Sequence, residues 1–142
     1  MKVLVFPVLL GLAVYASHLE PPKPTHWVGT ISNGMKGDKI SFDVSPDGKT
    51  VSNLLFQGYW RCAGKLEQTS TGPAGSFPVR GGKASGVVVD PPAGGASAWR
   101  YEFEAAVGKA TAQGSFRMNI NGLGCDTYKL QWTAAPADKG GQ

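Results

Sequence analysis

From Trp27 onwards, apolar residues recur at every second position, the period of a strand with one wet face. Trp27-Val28-Gly29-Thr30-Ile31 begins the pattern. Ile40, Phe42 and Val44 then alternate with Lys39, Ser41, Asp43 and Ser45. Ser45-Pro46-Asp47-Gly48 reads as a turn, because Pro46 presets one central angle and Gly48 accepts a positive φ. Residues 50–62 continue as a long strand, or a strand with a bulge, in which Leu54, Phe56, Trp60 and Cys62 share one parity. Gly58, inside that run, signals a bend or a close backbone approach. Further rows follow through Val87-Val88-Val89, then Trp99, Tyr101 and Phe103, then Phe116, Met118 and Ile120, then Tyr128, Leu130 and Trp132. Gly81-Gly82 and Asn121-Gly122-Leu123-Gly124 read as turns, and residues 69–76 and 91–97 as mobile loops.

The sum is about eight short strands with no amphipathic helix, an all-β domain. The first expectation is an antiparallel two-sheet β-sandwich, with a small β-barrel as the alternative, because parity does not reveal which strands pair.

The two ends break the pattern. Lys2, an uncharged apolar run over 3–14, and Val14-Tyr15-Ala16 before Ser17 form an export-signal pattern. The run is shorter than the roughly 20 residues that a spanning helix needs. Residues 1–16 therefore read as a signal peptide, with a retained anchor helix as the alternative. Pro21, Pro22 and Pro24 make 17–25 an extended linker. The domain is expected over 26–134, with a flexible tail over 135–142. The expected location is secreted or periplasmic, or membrane-anchored with the domain on the outer face.

A formal net charge of +4 is spread along the chain without a basic block, which argues against a nucleic-acid partner. Cys62 and Cys125, an even pair in an exported chain, suggest one disulfide. Free buried thiols are the alternative.

The run Ile40 to Val51, with its Ser45-Pro46-Asp47-Gly48 turn, and Trp60-Arg61-Cys62 resemble small exported bacterial β-sandwich proteins of unassigned function. Gly114 to Ile120, Cys125-Asp126-Thr127 and Leu130 to Ala134 are similar to the closing strands of that group. The resemblance implies fold, disulfide and export; it transfers no catalytic residue.

Candidate chemistry is sparse. His18 and His26 lie in or beside the proline linker, where a metal-binding or general-base role lacks fixed geometry. No G-x-S-x-G elbow is present. Glu102 and Glu104 share one strand face, a polar row to be matched by Lys or Arg rather than a carboxylate pair flanking a substrate. Asp43 and Asp47 lack the oxygen-rich spacing of a calcium loop. No metal, cofactor or catalytic residue is therefore expected, and the chain reads as non-enzymatic.

The rings carry more signal. Trp60, Trp99 and Trp132 have core parity, whereas Tyr59 falls on the opposite face beside Gln57 and Arg61. Tyr59, Arg61 and the domain-edge Trp27 form the expected contact surface. The expected function is an exported binding or structural module contacting a protein or glycan at the cell envelope. An anchored accessory subunit of a membrane complex is the alternative, and membrane contact is expected only with a retained leader. A carbohydrate-active enzyme using Glu102 and Glu104 is the least favoured reading.

Overall fold

The computed structural model describes residues 19–137. The expected leader, His18 and residues 138–142 lie outside the described residues. Ten strands follow in order: β1 (Thr25–Ile31), β2 (Lys39–Val44), β3 (Thr50–Cys62), β4 (Lys65–Thr71), β5 (Ser76–Arg80), β6 (Lys83–Asp90), β7 (Trp99–Val107), β8 (Ala112–Ile120), β9 (Cys125–Asp126) and β10 (Leu130–Pro136). A single 3-10 turn, Asn121–Leu123, sits between β8 and β9. Among the described residues no helix is long and apolar enough to cross a membrane.

The all-β expectation holds, but the sandwich is corrected to the barrel. Strands run β10-β1-β2-β3-β5-β6-β7-β8, and β8 pairs with β10 to close the circle. Closure is made by two antiparallel ladders on β10. Trp27 to Ile31 pair with Pro136 to Trp132 on one side, and Leu130 to Ala134 with Phe116 to Ala112 on the other. A sandwich would leave free sheet edges; closure removes them. The last strand reaches Pro136, so Ala135 and Pro136 belong to the wall rather than to a tail.

The inward rows fill the interior. Ile40, Phe42, Val51, Phe56, Phe103, Phe116, Met118 and Trp132 are essentially sealed from solvent. Trp132 lies parallel to Phe103 at 5.8 Å, Phe42 meets Trp132 edge-on at 5.4 Å, and Trp27 stacks on Phe42 at 6.0 Å. An eight-stranded barrel is just wide enough for side chains to fill. Each sealed large side chain contributes about 1.5–3 kcal/mol.

β3 is the longest strand and carries a bulge, the second of the two forms expected for this run. Asn53 has φ 52°, and the β2–β3 register shifts between Ser41 and Asp43. The extra residue lets Val51 and Leu54 both face inward. Past the bulge, β3 runs beyond the barrel wall and supports two short additions. β4 pairs with it from Phe56↔Thr71 to Cys62↔Lys65, and β9 pairs at Arg61↔Asp126 and Cys62↔Cys125. The Cys62–Cys125 disulfide joins β3 to β9.

Residues 69–76 are not a mobile loop. Thr69 to Thr71 belong to β4, Pro73 is buried, and the Thr71 hydroxyl lies 3.3 Å from the Tyr101 hydroxyl. The barrel thus has two unlike ends. One carries the loop 32–38, the β3–β4 hairpin, the loop 91–98 and the β9 region. The other carries the turns 45–49, 81–82 and 108–111 and both ends of the described chain.

Candidate functional site

The candidate site is built on the outer face of β2, β3 and β4. Inward Ile40, Phe56, Gly58 and Trp60 force their neighbours Lys39, Gln57, Tyr59 and Arg61 outward. Register then aligns them across strands. Lys39 lies opposite Gln57, Gln57 opposite Ser70, Tyr59 opposite Gln68, and Arg61 opposite Leu66. The loop 32–38 rises beside this face and adds Lys36. Lys36, Lys39, Gln57, Tyr59, Gln68, Thr69 and Ser70 line a cleft of about 580 Å³.

Asp38 anchors the cleft from behind. Its carboxylate is buried and accepts the Tyr59 N–H at 3.0 Å and the Met35 N–H at 2.9 Å. That pair of bonds ties the loop 32–38 to β3 and fixes Lys36 relative to Tyr59. Gly58 makes the approach feasible: a Cβ there would stand 2.3 Å from Asp38 Oδ1. The glycine is therefore a site of close backbone approach, as its place in the strand suggested.

The surface is cationic and aromatic. Tyr59 is 40% exposed. Among the described residues, Lys36, Lys39 and Arg61 make no ion pair. Asp126, opposite Arg61, is instead held by Arg117 in a two-pronged pair at 3.1 and 2.7 Å. The Asp126 hydrogen bond raises the Arg117 guanidinium above its usual value. The same carboxylate accepts the Tyr128 N–H at 2.7 Å, and Tyr128 is exposed nearby.

The expected contact surface splits. Tyr59 and Arg61 share one outer row, two residues apart. Trp27 does not join them: it is 4% exposed and stacked on Phe42 near the opposite end of the barrel. β1 begins at Thr25, so Trp27 occupies an inward strand position rather than the domain edge.

His26 also enters β1, opposite Asp43 in the β1–β2 ladder. Its Nδ1 lies 2.6 Å from Asp43 Oδ1, and Asn53 Nδ2 donates to Asp43 Oδ2 at 2.8 Å. Burial pushes the Asp43 carboxyl up, but the hydrogen bonds from Asn53 and His26 outweigh it and hold it below the usual value. The sequence held the signal, since His26 and Asp43 each neighbour an inward ring on strands of one hairpin. The cluster pins the bulge of β3 to β1 and β2.

Glu102 and Glu104 are engaged separately. Glu102 accepts two bonds from Arg100 at 3.1 and 3.0 Å, and Ser115 Oγ donates to Glu104 at 3.2 Å. Glu102 lies opposite Arg117 in the β7–β8 ladder, whereas Glu104 lies between Ser115 and Ser85, so the expected cationic match holds for Glu102 alone. Among the described residues no group of three or more His, Cys, Asp or Glu side chains is placed to hold a metal ion. A larger depression of about 920 Å³ on the opposite wall is lined mainly by short side chains, Thr30, Ala106, Thr133 and Ala135 among them. Its polar side chains are Thr30, Lys83, Thr111, Gln113 and Thr133, and no aromatic ring lines it, so the Tyr59 cleft is the better candidate.

No family model, no curated protein and no solved structure matches this chain.

Proposed function

We propose that the chain is an exported, non-enzymatic binding module that takes an anionic glycan of the cell envelope in the Tyr59 cleft. One observation carries the reading: Lys36 and Lys39 line a cleft with an exposed tyrosine ring, Arg61 follows in the same outer row of β3, and none of the three cations makes an ion pair among the described residues. A sugar has an apolar face that packs on a ring, hydroxyls that suit Gln57, Gln68, Thr69 and Ser70, and, when acidic, a charge that suits lysine. The Cys62–Cys125 bridge is consistent with export to an oxidising compartment. The local pairing of Glu102 and Glu104 supports a structural part for those carboxylates rather than glycoside cleavage.

Affinity electrophoresis tests this with alginate as the acidic probe and dextran as the neutral one. The wild-type chain is expected to be retarded by alginate more than by dextran, and less so as salt rises. Tyr59→Ala is expected to weaken retardation about tenfold, the effect of losing about 1.4 kcal/mol. Lys36→Gln with Lys39→Gln should reduce the salt dependence, leaving the part that Arg61 contributes. Equal retardation of wild type and variants would eliminate this surface.

A further inference from the structure

Closure removes the edges of the barrel wall, but β4 lies off that wall and pairs with β3 alone. Its far edge meets no other strand. The Tyr59 N–H turns away from β4 to reach Asp38. In the antiparallel alternation its neighbour Gln68 therefore faces the far edge, as do Leu66 and Ser70 two residues to either side. The first half of this edge is uncovered: Lys65, Leu66, Glu67 and Gln68 are all exposed, Leu66 to 49%. An exposed strand edge is a template for a further strand, and proteins blunt it with a proline, a bulge, a covering loop or a lysine. Residues 65–71 contain no proline and pair with β3 without a register shift. Lys65 is the one guard.

The same strand supplies the charge that cancels this guard. Consider two copies brought edge to edge and antiparallel, with Leu66 on the two-fold axis. The two Leu66 residues exchange N–H and carbonyl bonds, because both face the free edge. Lys65 lies opposite Glu67 of the second copy, and Glu67 opposite its Lys65, on one face of the joined sheet. Neither side chain makes an ion pair among the described residues. On the other face the two exposed Leu66 side chains meet. Other registers lose this match. Gln68 on the axis sets both charges against threonines, Thr71 and Thr69, and Glu67 on the axis sets two carboxylates face to face. Leu66 also sits close to the Ala63-Gly64 turn, so the copies overlap at their hairpin tips and the barrels point apart.

We infer that the β4 edge binds a second copy of this chain through Lys65, Leu66 and Glu67, joining two β3–β4 hairpins into one four-stranded sheet. The two-fold axis stands perpendicular to that sheet and turns both outer faces the same way, so the two Tyr59 clefts open on one side. A polymer lying across both is then held bivalently. The pairing itself does not rest on the glycan reading.

Sedimentation equilibrium of the secreted chain over a concentration series tests the inference. Wild type shows a reversible monomer–dimer equilibrium. Lys65→Glu and Glu67→Lys each set like charges opposite one another at both ends of the contact and weaken it about tenfold. An equimolar mixture of the two single variants regains wild-type affinity, because each opposes the other's charges. The double variant Lys65→Glu with Glu67→Lys regains it alone, at unchanged net charge. Both positions are exposed, and rescue in the mixture shows that each variant is folded. A wild-type chain that stays monomeric up to about 1 mM, single variants that associate like wild type, or a mixture no tighter than its components would each overturn it.

Discussion

At the scale of single residues, the contact between Gly58 and Asp38 governs the candidate cleft. The carboxylate reaches the Tyr59 and Met35 N–H groups only because position 58 has no side chain. Gly58→Ala is expected to cost about 1–3 kcal/mol of stability, since the new methyl overlaps Asp38, and denaturant unfolding would measure it. Gly58 was legible in the sequence as a constrained position; Asp38 was not, because its partners are backbone N–H groups, one of them 21 residues further along the chain, and backbone groups leave no residue-type signal. His26 was misplaced for a related reason. Its proline-rich approach hid the fact that pairing with β2 begins at Thr25, two residues before the Trp27 at which the alternation was read to start. The His26–Asp43–Asn53 cluster gives a signed pH effect. Asp43 titrates below its ordinary value of 3.8 when folded, so it contributes stability above that value. That contribution disappears as pH falls through the lower folded value. The stability gap between wild type and Asp43→Asn should therefore be full near neutral pH and shrink in acid, as read from urea midpoints over the acid range. A gap that widened in acid would refute the assignment.

At the scale of elements, β3 organises both the wall and the site. Its bulge at Asn53 resets the inward row, so that Leu54, Phe56 and Trp60 continue what Val51 starts. Asn53→Val forces a branched side chain into a left-handed backbone and removes the bond to Asp43, for an expected loss of about 2 kcal/mol. Asn53→Gly keeps the backbone shape and should cost less than Val; chemical unfolding of the two variants in parallel would rank them. The alternation that exposed β1, β2, β7, β8 and β10 in the sequence exists because each presents one face to a packed interior. β4 gave no such signal, and the reason is physical. It pairs only with β3, beyond the barrel wall, so Lys65-Leu66-Glu67-Gln68 has no core to face and all four are exposed. The site escaped full reading for the same reason. Tyr59 and Arg61 stood out by parity, whereas Gln68, Thr69 and Ser70 reach them through a strand without hydrophobic periodicity.

At the scale of the molecule, closure separates the observed barrel from the expected sandwich. Both architectures use identical alternating strands, and the difference lies in β10 pairing with β1 and β8 together. Parity is blind to that choice, because inward residues look the same whether they meet a facing sheet or the far wall of a barrel. Closure leaves an aromatic-filled interior, with the Tyr59 cleft outside the wall. The disulfide spans a sequence separation of 63 and fastens the β3 extension that carries the cleft. By chain entropy a loop of that size is worth about 4 kcal/mol. The claim that this extension is a recognition surface for acidic glycan is tested most directly by backbone amide shifts in the 15N-labelled chain during titration with an alginate oligosaccharide. The account predicts saturable shifts confined to Lys36, Lys39, the Gln57–Arg61 stretch and Gln68 to Ser70, lost in Tyr59→Ala. No shift there, or shifts centred on another wall of the barrel, would contradict it.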